Sequence, residues 1–428
     1  MSRPSLILAV ALLLAVGGFT FPGATPAAGQ TVPAPTTGSV DAAVLAALTP
    51  ADLPVGCVEP NRHLTLYVVE LAEAQGRVRL GYGVTPESAS YPGPTIEMIE
   101  GECLAVTVVN QVTKKTLAEL RDDPVLGLPH PDPDYPLGVS LHVHGVKYTT
   151  TSDGTMHTGS WVPPGQARTY VWYAEPRSVA GDGRVLSHGT AGYWWYHDHV
   201  VGTDHGTGGV GSGLFGALVV RRAGDRLPDR TYVVALGDNS SINLRTHPAT
   251  DTCDPVNPTP SPTCFVAHQG DVVEFVVFGI GNDFHTFHLH GHTWVDNRHG
   301  MLTPTDEATR VVDVISLGPS ASFGFQITAG ASVGTGDWML HCHVQAHSDL
   351  GMMTFLHVVP RETLLPTSTS VDTIEHDTDV ATQTRTGSRF RGAATLPQAS
   401  ADRRRTLGYY CSLPLTPSGR GRPAAPQA

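Results

Sequence analysis

Apolar residues recur along this chain in short runs bounded by turn formers. Leu64–Glu70, Glu102–Val109, Thr169–Tyr173 and Ala217–Arg221 alternate or run continuously, with many β-branched and aromatic residues. Thr231–Leu236, Val272–Phe278, Ser322–Thr328 and Thr354–Val359 do the same further on. Runs of this length and composition predict strands, not helices. Pro92-Gly93-Pro94 predicts a turn between strands, and the Pro- and Asp-rich stretch Asp122–Pro136 predicts an exposed loop. Gly211-Ser-Gly213-Leu-Phe-Gly216 has the letters of a dinucleotide loop but leads straight into a strand. Its glycines read as turn positions with positive φ.

The order of features repeats. A strand, a His-x-His segment, a long turn region and a second His-x-His segment before a last strand occur twice. Two copies of one β-sandwich unit are predicted, over 61–224 and 229–360, with a short linker between and little helix. The fold class is all-β. Arg3 followed by the apolar run Leu6–Val16 and the small residues Ala27, Ala28 and Gly29 read as a signal peptide over 1–29. The alternative is an uncleaved anchor. Residues 30–60 read as a flexible lead, and 361–428 as a low-complexity tail poor in large apolar residues. A secreted protein, free of the membrane after processing, is the expectation.

Charge narrows the partners. The net charge is −12, with 39 acidic and 27 basic residues and no basic stripe through the body. That argues against nucleic acid as a partner. Six cysteines are present. Cys253 and Cys264 flank a Pro-rich loop and are placed to pair in an oxidising compartment. Cys57, Cys103 and Cys411 compete for one remaining bridge, and spacing does not choose among them.

The sixth, Cys342, stands in His341-Cys-His343, a strand end continued by a loop that carries His347 and Met352. Side chains alternate faces along a strand. His341 and His343 therefore share one face, and Cys342 takes the other. In His285-x-x-His288-x-His290 the same parity separates His285 from His288 and His290. One thiolate (Cys342), two imidazoles (His285, His347) and one thioether (Met352) are the ligand types of a blue-copper centre. The remaining imidazoles fall in pairs: His142 and His144, His197 and His199, His288 and His290, His341 and His343. Together they are enough to hold three coppers with positions open for dioxygen. Zinc needs fewer imidazoles and does not use Met.

These segments, Leu141–Gly145, Trp195–Thr203, His285–His292 and His341–Asp349, resemble in order the four copper motifs of the multicopper oxidases. The similarity is closest to the small two-domain bacterial laccases and runs from about Thr65 to about Pro360. The resemblance implies a cupredoxin-like Greek-key β-barrel for each unit. It implies four coppers per active unit: one type 1 copper on His285, Cys342, His347 and Met352, and one type 2 copper on His142 and His288. The type 3 pair would take His144, His197, His199, His290, His341 and His343. It also implies an auxiliary redox role for Tyr148 and a proton-relaying role for Asp153. A core tyrosine and an Asp-Gly turn are the plainer readings of those two. His292 reads as structural, and His205 as a neighbour of the site.

The implied activity is one-electron oxidation of a small aromatic donor coupled to reduction of O2 to water. The implied assembly is a homotrimer whose trinuclear sites join the first domain of one chain to the second of its neighbour. Oxidation of Cu(I) or Mn(II) and a two-domain copper nitrite reductase are the alternatives.

Overall fold

The computed structural model describes residues 42–365 except 75–76, 124–131, 133, 252, 255–260, 298–299, 301–309 and 364. The expected signal peptide, most of the tail and Cys411 lie outside the described residues. Each alternating run forms a strand, and the strands close two sandwiches. In the first, one sheet has the order Arg77–Gly83, Arg62–Ala74, Cys103–Asn110, Ala167–Tyr173. Its facing sheet has the order Gly93–Ile99, Phe215–Arg221, Gly192–His197, His142–Val143. Between them lies a core of Leu66, Val68, Tyr82, Ile96, Val106, Trp172 and Tyr196, all fully buried.

The second sandwich repeats this topology. Arg230–Gly237 pairs parallel to Val272–Ile280, as Arg62–Ala74 pairs parallel to Cys103–Asn110. Phe265–His268 runs parallel to Met353–Val359, as Gly93–Ile99 runs parallel to Phe215–Arg221. The repeat read from the sequence is thus two all-β, cupredoxin-like Greek-key units. Both fall within one compact body.

A third cluster joins the sandwiches: Tyr193, Trp195, Phe215, Ala217 and Val219 of the first pack on Ala235, Val276, Phe278 and Ile280 of the second. Beside it sits a buried charge network. Arg221 donates from both terminal nitrogens to Glu274, at 2.8 Å each, and also binds Glu97. Glu274 further accepts from Tyr193 Oη, Gln326 Nε2 and Thr231 Oγ1, at 2.9, 2.9 and 3.1 Å. Two carboxylates on one guanidinium leave excess negative charge, and these three donors spread it. Arg221 Nε is buried without a partner, and removing any paired member would leave a buried charge uncompensated.

Four expectations need correction. Gly93 opens a fully buried strand, Gly93–Ile99, instead of sitting in a turn. That strand lies at the edge of its sheet, where Pro94 has no ladder hydrogen bond to lose. Residues 42–60 are not a flexible lead: they hold the helix Ala42–Ala47 and a turn that packs Leu48 and Leu53 against Cys57, Cys103 and Val171. The disulfide Cys57–Cys103 anchors them, and Cys253–Cys264 forms as expected. In the stretch 122–136, Tyr135 is buried, its hydroxyl donating to Thr203 O at 3.1 Å. His347, expected in a loop, lies in the one-turn helix Gln345–Asp349. Among the described residues, no helix is long and apolar enough to cross a membrane.

Candidate metal centres

Strand parity sorts the ligand-type residues as the sequence predicts. Cys342 ends the strand Gly336–Cys342 and points into the second core, fully buried. Its Sγ lies 3.6 Å from His347 Nδ1 and 3.9 Å from His285 Nδ1. Two nitrogens and a sulfur about 2.0–2.3 Å from a shared ion, at about 110–120°, would be separated by roughly 3.5–3.7 Å. The triad therefore fits one metal ion. Met352 is fully buried beside it. Its N–H donates to His347 O and its carbonyl accepts from Cys342 N, at 3.0 and 3.1 Å. Burial pushes the Cys342 thiol up, against the lowering effect of the Thr286 and Val344 N–H groups. A thiolate here needs a bound cation to hold it.

The other face of the same strand carries His341, which pairs with His288 across the ladder. In the first sandwich His142 pairs with His197 in the same way. The two quartets are copies of one another. His142 Nδ1 donates to Asp153 O at 2.6 Å, and His288 Nδ1 to Asp313 O at 2.8 Å. His197 Nδ1 donates to Asp198 O at 2.7 Å, and His341 Nδ1 to Cys342 O at 2.9 Å. His144 Nε2 faces His197 Nε2, and His290 Nε2 faces His341 Nε2, each pair at 3.2 Å. The carbonyls fix the tautomer of four rings, leaving an Nε2 lone pair on each for a metal.

Burial and mutual repulsion favour the neutral form of His144, His197, His199, His290 and His341. His144 is pulled down to about 4, first by burial and then by His142 and His199. His197 is driven well below the ordinary histidine value by burial, then by His142 and His144. His199, His290 and His341 are lowered too, chiefly by burial. His199 Nδ1 is buried without a partner. Neutral rings with converging lone pairs suit metal ions.

Ring contacts join His142 to His144, His197 and His199 at 5.1–5.3 Å, and His288 to His290, His341 and His343 at 5.0–5.4 Å. Among the described residues, no ring contact crosses from one quartet to the other. His290 and His343 are exposed. The structure thus brings together each half of the predicted eight-imidazole set, and does not bring the halves to each other within one chain.

Tyr148 and Asp153 both lie beside His142. The Tyr148 ring stands 5.9 Å from it, edge-on, and Asp153 Oδ1 is 3.7 Å from His142 Nδ1. Burial and then Asp153 raise the Tyr148 hydroxyl.

Several supporting residues escaped the sequence reading. Asp198, between two histidines, has the parity of Cys342 and is likewise fully buried. It accepts from the N–H groups of Ser140, Val200 and Val201 at 2.7, 3.0 and 2.7 Å, tying the His197–His199 segment to its neighbours. Burial raises it to about 6. Trp195 stacks on His197 at 4.2 Å and 19°, on His144 at 5.0 Å, and on Phe278 of the second sandwich at 5.2 Å. His292 donates to His290 O and accepts from Gly330 N, both at 3.0 Å, so it is structural as expected. Parity pointed to Asp198; nothing local pointed to the carbonyl partners.

A family model described as multicopper oxidase matches residues 233–362, which contain the Cys342 triad and the second quartet. Over that stretch the chain is similar to the multicopper oxidases. The three convergent His/Cys groups are compatible with copper sites. Among curated relatives is a probable nitrite reductase-hydroxylamine oxidoreductase fusion protein of Kuenenia stuttgartiensis. It is 28% identical over 289 residues, 64% of this chain and 28% of that one. Ceruloplasmin of Rattus norvegicus is 27% identical, over 52% of this chain and 22% of its own. The chain therefore spans about a quarter of the length of these relatives. Among solved structures, the blue copper oxidase of Nitrosomonas europaea is 22% identical with a TM-score of 0.45, covering 69% of this chain and 86% of that one.

Proposed function

We propose that this protein is a multicopper oxidase that takes single electrons from a small aromatic donor and delivers them to O2, making water. Copper, when bound, supplies one-electron chemistry at the Cys342 triad and multi-electron reduction of O2 between the histidine quartets. The observation that carries the reading is the strand end His341-Cys342-His343. It offers its thiol to one site and its imidazoles to another, so peptide bonds join the two. His285, Cys342, His347 and Met352 would hold the type 1 ion, His142 and His288 the type 2 ion, and the other six histidines the type 3 pair. Asp153, beside His142, is placed to pass protons, and Tyr148 stands next to it. We assign them those roles.

The matched quartets support a homotrimer in which the first sandwich of one chain meets the second of its neighbour. The two disulfides fit an oxidising, extracellular location. Nitrite reduction is the weaker reading, because it leaves most of the eight imidazoles without a role. Oxygen uptake during oxidation of 2,6-dimethoxyphenol tests the proposal: four phenols oxidised per O2 consumed is expected. Reduction of nitrite with no O2 uptake would refute it.

One observation favours a second class of donor. Asp283 Oδ2 lies 3.9 Å from His347 Nε2, the ring nitrogen turned away from Cys342. A carboxylate there suits a cationic donor such as Cu(I), Mn(II) or Fe(II). If that class is the substrate, Asp283→Asn raises KM for the metal ion and leaves the phenol's unchanged; equal effects on both would rule it out.

A further inference from the structure

Asp153 touches His142 twice. Its carbonyl accepts the His142 Nδ1–H at 2.6 Å, and its carboxylate Oδ1 stands 3.7 Å from the same nitrogen. Asp313 meets His288 in the same two ways, through O at 2.8 Å and Oδ2 at 3.9 Å. What holds the two aspartates differs. Asp313 lies between the strands Val311–Val312 and Val314–Leu317, whose ladders fix its backbone. Asp153 instead sits between the short helix Thr150–Ser152 and Gly154, which takes the left-handed conformation at φ +76°.

A ring of hydroxyls takes the place of the ladder. Ser160, fully buried, accepts the N–H groups of Gly154 and Thr155 on its Oγ, at 2.7 and 3.2 Å. A hydroxyl has two lone pairs and one hydrogen. With both lone pairs taken, Ser160 has to donate, and Thr158 Oγ1 receives it at 2.5 Å. Thr158 in turn donates to Thr155, to Oγ1 at 3.0 Å or to O at 3.2 Å. Thr155 donates to Asp153 Oδ2 at 2.7 Å, since an ionised carboxylate only accepts. The ring therefore begins on the backbone just after Asp153 and closes on its side chain.

Two buried contacts tie this turn to the strand Ala167–Tyr173. Tyr170 Oη donates to Ser160 O at 2.7 Å, and Ser152 Oγ accepts from Val171 N at 2.9 Å. Gly154 presses on the backbone of Leu141 and His142: a Cβ there would meet Leu141 O at 2.5 Å and His142 N at 2.8 Å. A small shift of the turn thus moves Asp153 O relative to the imidazole it orients.

We propose that Ser160 is a positioning residue for the His142 site: through the hydroxyl ring it holds Asp153 O on His142 Nδ1, which keeps Nε2 free for a metal ion. The proposal rests on the reading of His142 as a copper ligand. Outer partners that fix a ligating imidazole are worth about ten- to a hundredfold in metal affinity.

Ser160→Ala deletes the hydroxyl without adding bulk. Nitrogen NMR of the copper-free, histidine-labelled protein reads the tautomers directly. In the parent, His142 and His288 should each show Nδ1 protonated and Nε2 bare. In Ser160→Ala, His142 should become a mixture of tautomers while His288 stays as in the parent, because the ring serves only the first. Thr158→Val should act in the same direction more weakly, and Thr158→Ser, which keeps the hydroxyl, should restore the parent spectrum. Titration with Cu(II), followed by spin resonance, should show copper outside the Cys342 site bound about ten- to a hundredfold more weakly in Ser160→Ala, with the visible band of the Cys342 site unchanged.

The proposal is overturned if His142 keeps a single tautomer in Ser160→Ala, if copper binds that variant as tightly as the parent, or if His142 and His288 change together, which marks general loosening. Should Ser160→Ala fail to fold, the Thr158 pair decides alone, and identical spectra for Thr158→Val and Thr158→Ser overturn it. A parent that binds no copper outside the Cys342 site refutes the oxidase reading instead, and the comparison of His142 with His288 still decides the role of Ser160.

Discussion

Trp195 holds two imidazoles of the first quartet with one ring. It lies nearly parallel to His197 and His144 and rests on Phe278 of the other sandwich. Trp195→Leu should lower copper bound at the quartets while the visible absorption of the Cys342 site persists; Trp195→Phe should retain both. Copper analysis paired with absorption spectroscopy separates these outcomes, since general unfolding would lose both signals. Cys342→Ser should do the reverse, abolishing the visible band and reducing phenol oxidation to background while copper remains at the quartets. His144 supplies a pH dependence. Its folded pKa of about 4 lies below the ordinary 6.5, so at intermediate pH the unfolded chain binds the proton first. Its contribution to stability is present above pH 6.5 and is lost as pH falls through 4. A thermal midpoint of the copper-free protein that falls over this range, and falls less in His144→Gln, is expected.

At the scale of elements, the short strands His142–Val143, Gly192–His197, His285–Leu289 and Gly336–Cys342 do the positioning. The Gly-rich segment after His199 serves the same end. A Cβ at Gly209 would meet Asp198 Oδ2 at 2.3 Å, against a buried carboxylate that cannot easily move. Gly209→Ala should destabilise the protein by about 1–3 kcal/mol, visible as a lower denaturation midpoint, with copper retention at the first quartet falling alongside. Which residues face which site was legible in the sequence, because parity along a strand is a local property. His341, Cys342 and His343 could be sorted by counting. The carbonyl partners were not legible: Asp313 O reaches His288 from a bend between two short strands, 25 residues away, and the chain pattern does not specify such a meeting. Gly93–Ile99 was hidden for a different reason. Pro94 signals a break, and only its place at a sheet edge makes it harmless. The packing of 42–60 followed from the Cys57–Cys103 bridge, one of several pairings that spacing left open.

In the molecule as a whole, two repeated sandwiches are locked by a buried ion cluster, and among the described residues the two half-sites share no ring contact. Arg221→Leu would strand Glu97 and Glu274 as unpaired buried carboxylates, a loss of about 3–5 kcal/mol, read as a lower thermal midpoint. Burial works to raise Glu274, yet the Arg221 guanidinium and its hydrogen bonds outweigh it and hold the carboxyl below its ordinary value. The contribution of Glu274 is therefore present above the unfolded carboxyl pKa and is lost as pH falls through the folded one.

Joining half-sites across chains is the central claim, and complementation measures it most directly. One variant carries His144→Ala and His197→Ala; the other carries His290→Ala and His341→Ala. Each alone should be inactive. Co-assembled trimers should regain O2 uptake with phenol, because some first sandwiches with intact histidines then meet intact second sandwiches of a neighbour. Co-assembled trimers as inactive as either variant alone would contradict the account.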